Sequence, residues 1–127
     1  MKKKVYIKTE SAPQPLGAYS QAIKVGNWLF ISGQLPLNPL TGELISENTA
    51  EQAKQVFENL KAILKAAGMD LKNVVKITLY LKNLEDFPTI NKIYEEYFRE
   101  VLPARSTIQA TPPRNASLEV DAVACLL

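Results

Sequence analysis

Ser117-Leu118-Glu119-Val120-Asp121-Ala122-Val123-Ala124, residues 117–124, is the stretch that predicts the fold most directly. Its even-numbered residues are all apolar, with Glu119 and Asp121 placed between them. Because successive side chains of a strand point to opposite faces, this pattern predicts a strand with one apolar face on a core. The two carboxylates are expected on the opposite face of the same sheet.

Pro103-Ala104-Arg105, fourteen residues before Glu119, begins a second predicted strand that runs to about Ala110. The odd-numbered residues of that strand share one side: Arg105, Thr107 and Gln109. If the other side faces the helices, this set joins Glu119 and Asp121 on one uncovered polar face. We expect the functional site on that face. The sequence leaves open whether these two strands are neighbours or have another strand between them.

The central part of the chain predicts two helices. A capping box of Thr49 and Gln52 begins the first, and Gly68 suits the left-handed position that ends it. Its apolar residues follow the spacing of one buried stripe: Ala53, Val56, Phe57, Leu60, Ile63, Leu64 and Ala67. The second helix begins near Asp86 and ends at Leu102-Pro103. Its buried face is predicted to consist of Phe87, Ile90, Tyr94, Tyr97 and Val101.

Four further segments have the pattern of strands. Val5-Tyr6-Ile7 is a short one, and Gly26-Asn27 joins Ala22 to Val25 with Trp28 to Ser32 in a hairpin. Between the helices, the odd-numbered residues from Val75 to Leu81 are apolar and are expected to face the core. The order of elements predicts the α+β class, with one mixed sheet and both helices on one face. The bare face is expected to be buried against other copies of the chain.

Composition limits the classes of site. The chain has no histidine, which excludes Ser-His-Asp and Cys-His sites, and its one cysteine leaves little but oxygen ligands for a metal. We therefore expect neither a metal nor a cofactor. A length of 127 residues with 46% hydrophobic residues predicts a single domain over residues 1–127. A lone Cys125 and the lack of a signal peptide or an apolar span predict a soluble, cytoplasmic protein.

Six pieces of sequence occur in order over nearly the whole chain: Gly17-Ala18-Tyr19-Ser20-Gln21-Ala22, Ile31-Ser32-Gly33-Gln34-Leu35-Pro36, Asn38-Pro39-Leu40-Thr41-Gly42-Glu43, Asn83-Leu84-Glu85-Asp86-Phe87, Pro103-Ala104-Arg105-Ser106 and Leu118-Glu119-Val120-Asp121-Ala122. Together they resemble the Rid (reactive intermediate deaminase, YjgF-type) family. The resemblance implies a chorismate-mutase-like fold and a homotrimer with active sites in clefts between subunits. It also implies cofactor-free hydrolysis of enamines and imines, such as 2-aminoacrylate and 2-iminobutanoate, to 2-keto acids and ammonia.

By the same resemblance, Arg105 matches the family's carboxylate-binding arginine, and Glu119 matches the glutamate that positions the attacking water. Thr107 stands at a substrate-binding position where the family often has cysteine, and loss of that thiol should not abolish turnover if the position contributes mainly backbone contacts. The remaining cleft positions are Tyr19, Ser32, Gly33 and Asn91. These parts suffice in principle, because a protonated imine carbon is already electrophilic and needs only an anchored substrate and an oriented water.

Three alternatives remain. Arg105 can instead pair with Glu119 or Asp121 to brace an interface. A trimeric regulatory protein would keep the anion pocket and bind 2-keto acids without turnover. Translation inhibition or ribonuclease activity, attributed to some relatives, is disfavoured by a net charge of +2 and by the lack of a stripe of basic and aromatic residues.

Overall fold

In the computed structural model, which describes residues 3–127, the chain forms one mixed six-stranded sheet and two helices. The elements, in chain order, are β1 Lys4–Ile7, β2 Ala22–Val25, β3 Trp28–Gln34, α1 Thr49–Ala66, β4 Val74–Leu81, α2 Phe87–Phe98, β5 Ala104–Gln109 and β6 Leu118–Cys125. The strand order is β1-β2-β3-β6-β4-β5, and only β4 and β5 run parallel. The predicted α+β class is confirmed. The two C-terminal strands, β5 and β6, are not neighbours, because β4 lies between them.

The core lies between the sheet and the two helices. All seven apolar positions predicted for the buried stripe of α1 are at most 5% exposed. They pack against the apolar residues of β6, the even-numbered set that the sequence predicts: Leu118, Val120, Ala122 and Ala124. Each large side chain buried in this way contributes about 1.5 to 3 kcal/mol, so this one interface stabilises the whole arrangement of helices on sheet.

The start of α1 differs from the prediction. Asn48 is the N-cap, and its side-chain oxygen accepts a hydrogen bond from the Glu51 amide at 2.9 Å. The predicted Thr49–Gln52 capping box is therefore wrong. Thr49 contacts the Ser117 hydroxyl, and Gln52 accepts from the Ser117 amide, so both residues tie the helix to the segment before β6. The C-terminal prediction is confirmed, since Gly68 has a φ of +76° just beyond the helix.

The end of α2 also differs. The helix stops at Phe98 instead of continuing to Leu102-Pro103, and Asp86 provides no side-chain cap. Two buried residues were not predicted, Ile93 and Phe98. Phe98 is completely buried and stacks on Tyr94, with ring centroids 4.7 Å apart. Phe57 of α1 meets both rings edge to face, with centroids 5.9 Å and 5.8 Å away, and these contacts hold α2 against α1.

The predicted alternation of buried and exposed side chains does not hold at the start of β4. Val74 is 3% exposed whereas Val75 is 40% exposed, so the prediction that Val75 faces the core is wrong. The register against β6 shifts between Val74 and Lys76, and this bulge reverses the alternation locally. From Ile77 onward the predicted alternation holds.

The pairing of β5 with β4 decides which way the β5 side chains point. Arg105 pairs with Ile77 and Thr107 pairs with Leu79, and both of these partners point into the core. Since paired residues of neighbouring strands share a face, Arg105 and Thr107 lie on the face of the sheet that carries the helices. The prediction that they lie on the uncovered face is wrong. The same holds for Gln109, which pairs with the buried Leu81.

The acids of β6 lie on the other face, as predicted. Glu119 pairs with Tyr80 and Asp121 pairs with Thr78, and neither partner belongs to the core. This uncovered face also carries large apolar side chains that are each 46% or more exposed: Tyr6, Trp28, Phe30 and Ile108. No helix within residues 3–127 is long and apolar enough to cross a membrane.

Candidate active site

Arg105 lies at the edge of the sheet, where its guanidinium meets one face of α2. Its Nη1 donates a hydrogen bond to Asn91 Oδ1 at 2.8 Å. Its Cζ lies 5.3 Å from the ring centroid of Phe87 and 4.7 Å from that of Tyr94. Residues four and seven positions apart share a helix face, so a single stripe of α2 supplies all three contacts. The structure thus brings Arg105 and Asn91 together, as the proposed site requires.

The charge of Arg105 has no acidic partner in the part of the chain that the structure describes. The ion pairs found there join other groups, on α1, before β4 and in the loop near Gly42. The side chain is exposed. A guanidinium held by an amide and two aromatic rings keeps further N–H groups for an anion.

Thr107 lies two residues along β5 on the same face as Arg105 and is partly exposed. The structure therefore places it beside the arginine, although no side-chain hydrogen bond to another described residue gives Thr107 a separate role. Its contribution to ligand binding stays a prediction.

Glu119 forms a second cluster, with Gly33. An ideal Cβ built on Gly33 would overlap Glu119 Oε2 and would lie 2.9 Å from its Cδ. Glycine at this position therefore makes room for the carboxylate. The register between β3 and β6 shifts between Ile31 and Gln34, and this irregularity lies where the two strands bring Gly33 and Glu119 into contact.

The Glu119 carboxyl has a raised pKa. Burial is the main cause, because it disfavours the charged form, and the negative charge of Asp121 adds to the effect. Asp121 in turn accepts a hydrogen bond from the Tyr80 hydroxyl at 2.7 Å. The Tyr80–Asp121 pair was not predicted from the sequence. A carboxyl whose pKa is raised toward neutrality is suited to proton transfer.

Tyr19 and Ser32 lie near this second cluster. Tyr19 is half-exposed, its hydroxyl accepts from the Leu16 amide at 3.1 Å, and it borders the same small cavity as Gly33. The Ser32 amide donates to Gln21 O at 3.0 Å, and its hydroxyl donates to Ser20 O at 2.6 Å. Both Ser32 donors are thus occupied within the chain. Its visible role is to hold the segment that carries Tyr19.

The predicted site residues therefore form two groups on opposite faces of one sheet. Arg105, Asn91 and Thr107 lie on the helix side, whereas Glu119 and Asp121 lie on the uncovered side. Strand β4 separates the two groups. An ion pair between Arg105 and either acid does not form within the chain. Within one copy, Arg105 and Glu119 therefore do not share a face of the sheet.

The sequence did not reveal two residues that contact the Arg105 guanidinium. Phe87 and Tyr94 were predicted only as buried residues of the second helix, but both rings lie against Arg105. Their spacing with Asn91 along one helix face was a usable signal, but only the β4–β5 register shows that Arg105 meets that face. Within residues 3–127, no group of three or more His, Cys, Asp or Glu side chains is arranged to hold a metal ion.

The family described as Endoribonuclease L-PSP matches residues 9–126 of the chain. A RutC family protein of Pyrococcus horikoshii is 49% identical over 122 residues, which are 95% of this chain and 97% of that protein. The human 2-iminobutanoate/2-iminopropanoate deaminase is 46% identical over 119 residues, or 93% and 87% of the two chains.

Solved structures agree closely with this fold. A putative endoribonuclease from Thermotoga maritima has a TM-score of 0.94 at 43% identity, and the match covers 97% of this chain and 98% of that one. E. coli TdcF with bound serine has a TM-score of 0.92 at 37% identity, with coverage of 97% and 99%. The chain therefore belongs to the Rid (YjgF) family, which also carries the description Endoribonuclease L-PSP.

Proposed function

We propose that this protein is a 2-iminobutanoate/2-iminopropanoate deaminase, which hydrolyses reactive imines and enamines to 2-keto acids and ammonia in sites between the subunits of a homotrimer. The observation that carries the proposal is the division of the site: Arg105, which has no acidic partner among residues 3–127, lies on one face, and a half-buried Glu119 lies on the other. Relatives from human and from Dermatophagoides farinae carry this deaminase name at 46% and 41% identity.

Arg105 is assigned to the substrate carboxylate. Its planar, positively charged group binds a carboxylate through two parallel N–H donors. Asn91 and the two rings hold that plane in place before the ligand arrives. TdcF was solved with bound serine, an amino acid that presents the same carboxylate group, and this supports an anion site in the family.

Glu119 is assigned to the water. It accepts a proton as the water oxygen attacks the iminium carbon, and a carbinolamine forms. The proton is returned to nitrogen. The carbinolamine hydroxyl then gives its own proton to Glu119 as the C=O bond forms and the C–N bond breaks, so the products are the 2-keto acid and ammonia, and Glu119 releases this last proton to solvent. An enamine such as 2-aminoacrylate first takes a proton on its methylene carbon to become the iminium ion. The raised pKa of Glu119 suits these transfers, since one carboxyl must take and release each proton.

The uncovered face of the sheet supports the proposed trimer. Exposed Tyr6, Trp28, Phe30 and Ile108 make this face apolar, and an apolar face of this kind is typical of an interface. Packing against identical copies with closed symmetry would bury it and bring Glu119 of one copy toward Arg105 of the next.

A coupled assay tests the activity. A serine or threonine dehydratase would generate 2-aminoacrylate or 2-iminobutanoate, and release of 2-keto acid would be followed with and without this protein. We expect release to be faster in its presence. Equal rates, together with measurable binding of a 2-keto acid, would instead support the non-catalytic regulatory protein.

The family description favours one further candidate, an endoribonuclease. That activity would require binding to the RNA backbone, which weakens steeply with salt. Incubation of the protein with single-stranded RNA at low and at physiological salt would reveal cleavage. Cleavage that survives extensive purification and is lost on mutation of the protein would support this candidate over the deaminase.

A further inference from the structure

Tyr94 has a buried hydroxyl without a hydrogen-bond partner among residues 3–127. The residue is 6% exposed and lies on the helix stripe that meets Arg105. An unpaired hydroxyl in the interior costs stability, and most buried polar groups are therefore paired. Phenylalanine would fill the same space without that cost. The presence of tyrosine is thus unexplained by the stability of the ligand-free chain.

The ring of Tyr94 is a fixed support for Arg105. Phe98 stacks on it with centroids 4.7 Å apart, and Phe57 meets it edge to face at 5.9 Å. Both phenylalanines are fully buried, so the tyrosine ring is held in one orientation. The guanidinium carbon lies 4.7 Å from its centroid, within the range of a cation–π contact.

The hydroxyl lies close to the same guanidinium. Burial raises the pKa of Tyr94, while the charge and N–H groups of Arg105 oppose that rise. The contact between them does not reach hydrogen-bond geometry, and Arg105 Nη1 donates to Asn91 instead. A guanidinium has five N–H donors. Asn91 takes one and a bidentate carboxylate takes two, which leaves two donors for acceptors in the wall of the site.

We propose that Tyr94 is a positioning residue for Arg105: its ring fixes the plane of the guanidinium, and its hydroxyl accepts one of the remaining N–H groups when a ligand carboxylate engages the arginine. This rests on the proposed function, because it takes the ligand to be a carboxylate. Removal of the hydroxyl should then stabilise the ligand-free protein and weaken ligand binding. A purely structural residue would not give these two opposite effects.

The test compares Tyr94→Phe with Tyr97→Phe in the full-length protein. Tyr97 lies one turn further along α2, and its hydroxyl is paired with Glu58 at 2.7 Å, so its loss should not stabilise the protein. Thermal unfolding would be measured without ligand, and 2-oxobutanoate binding by calorimetry. We expect Tyr94→Phe to unfold at a higher temperature and to bind 2-oxobutanoate about three to ten times more weakly. Tyr97→Phe should bind as the wild type does.

The outcome separates the two proposals. If the wild type binds 2-oxobutanoate, Arg105→Ala loses that binding and Tyr94→Phe binds with unchanged affinity, the role of Tyr94 is refuted and the assignment of Arg105 to the carboxylate stands. If the wild type fails to bind, or Arg105→Ala binds equally well, both the carboxylate assignment and the role of Tyr94 are overturned, whereas the deaminase activity is decided by the coupled assay.

Discussion

Gly33 leaves open the space that the Glu119 carboxylate occupies. A Cβ on Gly33 would overlap Glu119 Oε2, which is the far end of a flexible side chain. The added atom would displace the carboxylate and leave the backbone in place. We therefore expect Gly33→Ala to remain folded, within about 1 kcal/mol of the wild-type stability.

The activity of Gly33→Ala should fall at least about tenfold in kcat/KM, which corresponds to roughly 1.4 kcal/mol of transition-state stabilisation. The coupled deaminase assay measures this loss. Gly17→Ala is the matched control, because its Cβ would meet only the Tyr19 ring at an ordinary 3.8 Å. Full activity in Gly33→Ala would show that the position of the Glu119 carboxylate is unimportant.

Arg105→Ala should lose a charge-assisted bidentate contact worth about 2 to 4 kcal/mol, or about 30- to 1000-fold in kcat/KM. The side chain is exposed and the core does not depend on it, so the variant should stay folded. Arg105→Lys should recover only part of the loss, since lysine restores the charge without the planar fork. A folded Arg105→Ala protein with wild-type turnover would remove Arg105 from the site.

Mixing two inactive variants tests the shared site. Arg105→Ala keeps Glu119, and Glu119→Gln keeps Arg105, so a mixed trimer contains some sites in which both residues are native. After denaturation and joint refolding in equal amounts, random assembly should restore about a quarter of the wild-type activity. The two variants refolded separately are the control. If the mixture shows no gain over them, Arg105 and Glu119 do not meet across an interface.

Asp121→Asn should shift the pH profile. The negative charge of Asp121 contributes to the raised pKa of Glu119, so its removal should lower that pKa. A base must be ionised to accept a proton, and activity is lost as pH falls through its pKa. The acid limb of kcat/KM should therefore move to lower pH in Asp121→Asn. Tyr80→Phe removes the hydrogen bond to Asp121 but leaves the Asp121 carboxylate in place, so the acid limb of this variant should stay where it is in the wild type.

Phe30→Asp should prevent assembly. Phe30 is 49% exposed on the uncovered face of the sheet, and a carboxylate there would be buried in the proposed interface. Light scattering should give a wild-type mass near three times 14.1 kDa and a lower mass for the variant, which should also be inactive. Leu40→Asp, at a position 92% exposed in a loop, is the control and should keep the wild-type mass. A monomeric wild type would contradict the proposal.

Local sequence patterns were enough for most elements of the fold. The stripe of α1, the hairpin at Gly26-Asn27 and the alternation of β6 each have a strong periodicity or turn signal. In these segments one face is apolar and the other is polar, so only the apolar face can be buried and the orientation of the element is fixed. The cap at Asn48 and the bulge after Val74 were missed, because neighbouring residues offered equally good alternatives.

The sequence by itself determined the class of the fold, the family and the residue types of the candidate site. The tertiary structure alone decided how that site is divided. Strand β5 has no consistently apolar side, and its pattern is therefore compatible with either orientation. Its parallel register with β4 turns Arg105 toward α2 and away from Glu119. Which residues face each other depends on that pairing between distant segments, and no local periodicity encodes it.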